Sequence, residues 1–248
     1  MERATVRGRL NWLPADVVEL VQETPRVKTI VFNVPGWNGH LPGQHVDVRL
    51  TAEDGYQAQR SYSIANADGD ERVALTVEAV ENGEVSPYLV EELVVGDRIE
   101  LRGPIGGYFV WDQGQGGPLQ LIAGGSGLVP LMAMVRSQKT PSPPTRLLVS
   151  ARSWEELIYR DDLERLASQL GSLEVLFTLT RSQPPGWDGY KRRIDKDMLG
   201  ASTWPVAETP LVFICGPTGF VETVATTMLE LGHQPERIKT ERFGPSGG

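Results

Sequence analysis

Arg60-Ser61-Tyr62-Ser63 sets a guanidinium beside a phenol ring within one short stretch of the chain. If that stretch is a strand, Arg60 and Tyr62 face one side and Ser61 and Ser63 the other. An arginine fork pairs bidentately with a phosphate, and a tyrosine face stacks on a planar heterocycle, so the pair could hold a phosphorylated aromatic cofactor. An exposed edge strand would carry the same residues with no ligand. Downstream, Asn82-Gly83-Glu84-Val85-Ser86 leads into a short helix. Gly83 permits a tight turn, and the Ser86 hydroxyl with the helix N-terminus could form an anion site or merely an ordinary cap.

Two further turns carry the same chemistry in another form. Ala123-Gly124-Gly125-Ser126-Gly127-Leu128-Val129-Pro130 falls where an apolar strand hands over to a helix. Its glycines allow close backbone approach, and the helix N-terminus offers N–H groups to a dinucleotide pyrophosphate. Many such turns are glycine-rich for packing alone, and no Gly-Lys-Ser/Thr ending makes this a P-loop. Ile214-Cys215-Gly216-Pro217-Thr218 also ends a strand and starts a helix, with a thiol at the carboxyl edge of the sheet, where ligands of α/β sheets bind. A lone buried cysteine is by itself a small hydrophobe.

The elements that must position these residues change character midway. Residues 16–23, 27–34, 44–51, 59–64, 72–80 and 98–102 alternate with β-branched residues, broken by Pro35-Gly36, Asp54-Gly55 and Asp68-Gly69. Six such strands suit a small antiparallel barrel. Residues 86–93 predict a short helix with Ser86 as N-cap and proline at the first helical position. The glycine-rich break at 111–118 separates the barrel from alternating strands and helices. Strands are expected at 119–123, 146–150, 173–179 and 211–215, with helices from about 129, over 154–169, and over 218–231 ended by Gly232. The fold class is therefore two-domain α+β: a six-stranded antiparallel β-barrel over residues 1–113, and an α/β domain with a parallel sheet over residues 114–248.

Composition narrows the function class. Forty per cent hydrophobic and 23% charged residues describe an ordinary globular chain. Thirty-two acidic against 24 basic residues, with no long Lys/Arg stripe, argue against nucleic acid as partner. One cysteine, Cys215, excludes a disulfide or a cysteine-ligated iron–sulfur cluster within this chain. Arg3, Arg7 and Arg9 precede Asp16 and Glu19 with no unbroken apolar run, so a cytoplasmic protein without membrane contact is expected.

Taken in order, these segments resemble the ferredoxin–NADP reductase family of flavin oxidoreductases over roughly residues 15–243. Arg60-Ser61-Tyr62-Ser63 looks like the family's Arg-x-Tyr-Ser flavin motif, Gly83 to Ser86 like its Gly-x-x-Ser, and Gly103-Pro104-Ile105-Gly106-Gly107-Tyr108-Phe109 like its barrel-closing segment. Gly124 to Pro130 and Cys215-Gly216-Pro217 look like its two nicotinamide-nucleotide motifs. The resemblance implies FAD, with FMN as the less favoured flavin, and NADPH or NADH as hydride donor. It implies Arg60 on the flavin phosphates, Tyr62 stacked on the isoalloxazine, Ser63 near flavin N5, and Gly83, Val85 and Ser86 on the phosphates. Gly124, Gly125, Ser126, Gly127, Pro130, Gly216 and Pro217 would receive the nicotinamide nucleotide, and Cys215 would pack beside the nicotinamide. Ser63 and Cys215 are thus the expected reactive-centre residues, with no metal required. Phe243 resembles the family's C-terminal flavin-covering aromatic, but Gly244-Pro245-Ser246-Gly247-Gly248 follows it, and a Phe packing the chain end fits as well.

For the nucleotide, Ser150-Ala151-Arg152 offers no acid for a ribose diol, whereas Thr180-Arg181 and Lys191-Arg192-Arg193 resemble the 2′-phosphate site of NADP-dependent members. NADPH is expected over NADH. The implied activity is hydride transfer from NAD(P)H to FAD, then single electrons to a separate acceptor protein such as an iron–sulfur protein on another chain. The alternative is a non-catalytic nucleotide-binding or scaffold module of the same fold.

Overall fold

The computed structural model describes residues 10–67 and 72–244. The expected Asp68-Gly69 turn, Arg3, Arg7 and Arg9, and the tail beyond Gly244 lie outside the described residues. Period-two alternation drives the first half: Val46 and Val48 turn into the barrel while Asp47 and Arg49 turn away, and Val73, Leu75 and Val77 turn in while Ala74 and Thr76, also buried, face the other side. The strands β1 (Leu13–Thr24), β2 (Val27–Asn33), β3 (His45–Thr51), β4 (Gln57–Ser63), β5 (Arg72–Glu78) and β6 (Arg98–Ile105) pair antiparallel in the order β4-β3-β6-β1-β2-β5. The two outer strands of that order meet through the Ile64–Leu75 bridge and the Ala65 N–H to Ala74 carbonyl bond of 2.8 Å, which closes the barrel. Phe32, Ile30, Leu75 and Leu101 fill it, each fully buried and each contributing about 1.5–3 kcal/mol. The chain leaves the barrel over Phe109, Val110 and Trp111, all buried. Gly43 makes room for that exit: its φ is +97°, and a Cβ there would fall 1.9 Å from the Phe109 carbonyl oxygen.

The second half forms a parallel sheet in the order β11-β10-β7-β8-β9, from β7 (Leu119–Gly124), β8 (Thr145–Ala151), β9 (Leu173–Leu179), β10 (Leu211–Pro217) and β11 (Ile238–Phe243). Leu121, Leu147 and Phe213 pack against α1 (Leu128–Arg136) and α2 (Arg160–Gln169) on one face. Ile122, Leu148, Val212 and Ile214 pack against α3 (Lys196–Ser202) and α4 (Thr218–Glu230) on the other. Burial on both faces explains why these strands read as continuous apolar runs. The first of these cores also takes in Val27, Ala65 and Ala74 of the barrel, so one apolar core crosses the seam between the halves.

Four expectations need correction. The helix expected over 154–169 begins only at Arg160, because Tyr159 adopts a left-handed backbone (φ 58°, ψ 26°) that no helix can run through. The helix expected over 86–93 widens into a π-helical turn, Tyr88–Glu92, with the Leu93 N–H bonded to the Tyr88 carbonyl. Ser86 does not cap it; its hydroxyl accepts from the Val80 N–H at 3.1 Å. Finally, α3 and β11 were not anticipated: α3 is short, and β11, at the sheet edge, keeps alternate polar residues. The break expected after residue 113 falls in a 3-10 turn, Gln113–Gln115, capped by the Asp112 side chain.

Candidate active site

β4 is hydrogen-bonded along its length to β3 alone, so its outward groups are free to meet a ligand. Tyr62 packs against the barrel core, and burial pushes its phenol up to about 12, so the ring stays neutral. Arg60 is 58% exposed; one guanidinium nitrogen donates to the Gln59 carbonyl at 2.7 Å and the other reaches Glu84 only at 3.5 Å. That long pairing joins Arg60 to the 83–86 loop and leaves donors for a phosphate. Within the loop, a Cβ on Gly83 would sit 3.0 Å from the Val80 carbonyl oxygen, tighter than most side chains tolerate. Val85 is buried in the barrel core and can offer a ligand only its backbone, and the Ser86 oxygen is already engaged by Val80. Ser61 is likewise committed, donating to Asp47 at 2.6 Å, with Arg102 holding the same carboxylate at 2.6 Å.

In the α/β half, the glycine turns are packed against each other. Gly124 ends β7, and Gly125–Gly127 form a 3-10 turn leading into α1, with Pro130 buried in its first turn. A Cβ on Gly127 would fall 2.2 Å from the Cys215 carbonyl oxygen, and one on Gly216 2.7 Å from the Phe220 ring. Gly124, Gly127 and Gly216 therefore let two strand ends close on one another. Gly125 differs: it is exposed, has φ +55°, and faces nothing within 4 Å, so close approach of a ligand is open there, beside the half-buried Ser126 and not at its neighbours. Pro217 is exposed at the end of β10, in register with Phe243, which packs against the large core.

The two halves meet at a carboxyl that residue types alone did not single out. Glu241 on β11 stands in register with Cys215 on β10. The Cys215 thiol donates to it at 3.9 Å, and the Ser63 side chain, from the barrel, lies near enough to the same carboxyl to favour its charged form. Burial pushes Glu241 up to about 7, against the pull of Cys215 and Ser63. Burial, with Glu241 beside it, holds Cys215 well above the usual thiol range, so it is a neutral thiol and no nucleophile. His45, opposite Ser63 on β3, is held below its usual range by burial, with Asp47 opposing. Ser63 and Cys215, both expected here, thus lie on opposite sides of the seam near one carboxyl, Glu241, which Cys215 contacts directly. Only the parallel pairing of β10 with β11 could have revealed it.

The basic residues separate into two groups. Thr180 and Arg181 donate their backbone N–H groups to the Ala151 and Arg152 carbonyls, at 3.0 and 2.8 Å, which sets Arg152 and Arg181 side by side at the ends of β8 and β9. Arg181 is exposed and makes no side-chain ion pair among the described residues, whereas Arg152 has only a 3.9 Å pairing with Glu156. Arg192, by contrast, is ion-paired with Asp195 at 2.5 Å, and Lys191 and Arg193 are exposed. Trp187, ring to ring with Trp154 at 5.2 Å, anchors the loop between the groups.

A barrel strand with Arg60 and Tyr62, seamed through Ser63 to the nucleotide-type turns of a parallel sheet, defines a two-domain flavin and nicotinamide-nucleotide oxidoreductase architecture. Residues 14–110 match the oxidoreductase FAD-binding domain family, and residues 121–226 the oxidoreductase NAD-binding domain family. Ferredoxin–NADP reductase B of Sorangium cellulosum is 35% identical over 212 residues, covering 81% of this chain and 84% of that protein. The chain belongs to the ferredoxin–NADP reductase family. It is also similar to the ferredoxin–NAD(P)+ reductase component of the naphthalene 1,2-dioxygenase/salicylate 5-hydroxylase systems of a Ralstonia species, 29% identical over 208 residues, 83% of this chain and 61% of that one. The flavohem-like FAD/NAD-binding domain of nitric oxide dioxygenase from Vibrio cholerae matches with a TM-score of 0.82 at 25% identity, over 94% of this chain and 99% of that one. The chain spans 61%, 56% and 53% of the length of three of the curated relatives it matches. Among the described residues no helix is long and apolar enough to cross a membrane.

Proposed function

We propose that this protein takes hydride from NADPH onto FAD at the seam between its halves and passes electrons to a separate acceptor protein. The observation that carries the reading is the buried Glu241, hydrogen-bonded to Cys215 in the parallel sheet and near Ser63 of the barrel strand that bears Arg60 and Tyr62. Bound flavin would supply the hydride chemistry and the release of single electrons. The chain's own task is positioning. Arg60 binds phosphate, with backbone from residues 83–86, and Tyr62 orients the ring system. Ser63 would present its hydroxyl to the ring, with Glu241 nearby, poised near neutrality to hold or release a proton. Neutral Cys215 packs the floor of the nicotinamide site and excludes water. Gly125, Ser126 and the ends of β7 and β10 receive the nucleotide, and Phe243 closes that end of the cleft.

The barrel would function as one unit up to residue 113 and the α/β half as the other. Arg181 with Arg152 favours NADPH, since two cations with no tight partner suit a 2′-phosphate; Arg192, already paired, contributes less. A similar protein named as the reductase component of a dioxygenase system supports an acceptor on another chain, for which an iron–sulfur protein in the cytoplasm is our reading. Purified protein should be yellow, bleach on anaerobic addition of NADPH, and turn over with ferricyanide. A colourless protein that cannot be reconstituted with FAD or FMN would sink the proposal, and binding without turnover would leave a nucleotide-binding scaffold.

A further inference from the structure

Away from Ser63, a second polar contact crosses the seam, and it is built at visible cost. Tyr159 is 3% exposed and sits at the N-cap of α2, where Ser, Thr, Asp or Asn is the usual choice, and no side chain caps the helix. Its left-handed backbone, φ 58°, is one that bulky side chains rarely adopt. That conformation delivers the phenol across the seam, where it donates to Thr76 on β5 of the barrel. Thr76 pairs with Thr29 at 2.7 Å, and Thr29 donates to Glu23 at 2.6 Å. With Tyr159 as the first donor and Glu23 as the last acceptor, each threonine accepts from one neighbour and donates to the next. Burial pushes the Tyr159 phenol up to about 12, so it remains a donor throughout the neutral range.

Arg136, the last residue of α1, completes the contact. Its guanidinium lies 4.5 Å over the Tyr159 ring, donates to the Ala65 carbonyl at 2.7 Å, and pairs with Asp162 of α2 at 2.6 Å. Ala65 follows Ser63 by two residues on the barrel side. On the other side α1 starts beside Gly127, whose backbone is packed against the Cys215 carbonyl. A rigid helix of nine residues, about 13 Å long, thus links this contact to the floor of the proposed site.

We propose that Tyr159, through Thr76 and with Arg136, is a positioning residue that sets how the α/β half seats against the barrel, and hence how Cys215 and Glu241 meet Ser63. Its kinetic arm rests on the reductase reading; its structural arm does not. The test is Tyr159→Phe, which keeps the ring under Arg136 and removes only the donor, with Thr76→Val removing the acceptor from the barrel side. Because Cys215 is the chain's one cysteine, its rate of modification by a thiol reagent reports the seating of the seam with or without flavin. We expect both variants to label about fivefold faster and the flavin of the holoprotein to be reduced about fivefold more slowly at saturating NADPH, with half-saturation within about twofold of wild type. A lower melting temperature with wild-type labelling and a wild-type limiting rate would make Tyr159 merely a stabilising residue and overturn the proposal. Should Tyr159→Phe not fold, Thr76→Val decides by the same readings. A protein that never binds flavin fails the proposed function and still leaves the labelling comparison to be read.

Discussion

Arg60 on β4 stands more than half in solvent and holds Glu84 at 3.5 Å, whereas Gly127, across the seam, is buried so tightly that a Cβ would lie 2.2 Å from a carbonyl oxygen. The two regions serve cofactors of related chemistry by opposite means. On the proposed reading the barrel side would recognise through the side chains of Arg60 and Tyr62, and the α/β side through what its glycines omit; of Gly124, Gly125, Gly127 and Gly216, Gly125 alone leaves room for a Cβ. Glu241 belongs to neither pattern, since it matters only because the regions touch.

That contrast can be broken first at the glycines. Gly127→Ala should cost about 3 kcal/mol or more and give insoluble or strongly destabilised protein, because backbone meets backbone and no side chain can yield. Gly125→Ala should fold with a loss of about 1 kcal/mol from its left-handed backbone, and raise the half-saturating NADPH concentration. Equal melting temperatures for the two would dissolve the distinction.

Glu241→Gln probes the junction by pH. Burial raises this carboxyl from the ordinary 4.5 to about 7, so the fold favours its protonated form. Its stabilising contribution is complete below the ordinary value and is lost as pH rises through about 7. Relative to wild type, the glutamine variant should therefore gain stability with rising pH across that window, by at most about 3 kcal/mol, and then level off. A difference in melting temperature that is flat with pH would mean the carboxyl is not desolvated.

Smaller effects belong to the barrel. Arg60→Ala should lose flavin on dialysis, an affinity change worth about 2 kcal/mol, with the melting temperature of the flavin-free protein hardly moved because the side chain is exposed. Ser63→Ala should keep its colour and be reduced about tenfold more slowly, and wild-type reduction would remove the proposed contact. Least of all, Arg181→Ala should raise the half-saturating NADPH concentration about fivefold and spare NADH, while Arg192→Ala, whose partner is Asp195, changes neither. If Arg192→Ala produced the larger effect, the assignment of the 2′-phosphate would move to that residue.

By itself the sequence determined the barrel strands, four of the parallel strands and the clustering of cofactor-type residues in Arg60 to Ser63, Gly124 to Gly127 and Cys215 to Pro217. These follow from local causes: period-two burial, apolar runs covered on both faces, and glycine at strand ends. Tertiary structure alone decided the rest. Ser61 and Ser86 carry the right oxygen in the right motif, but Asp47 and Val80 had already engaged them. The start of α2 moved to Arg160 because Tyr159 gives up helical backbone for a bond to Thr76, 83 residues away in the chain. Glu241 has nothing in its neighbours to mark it, since a carboxyl's pKa and partners depend on which strand lies beside it and what shuts out water, and both are set by pairing across the whole sheet.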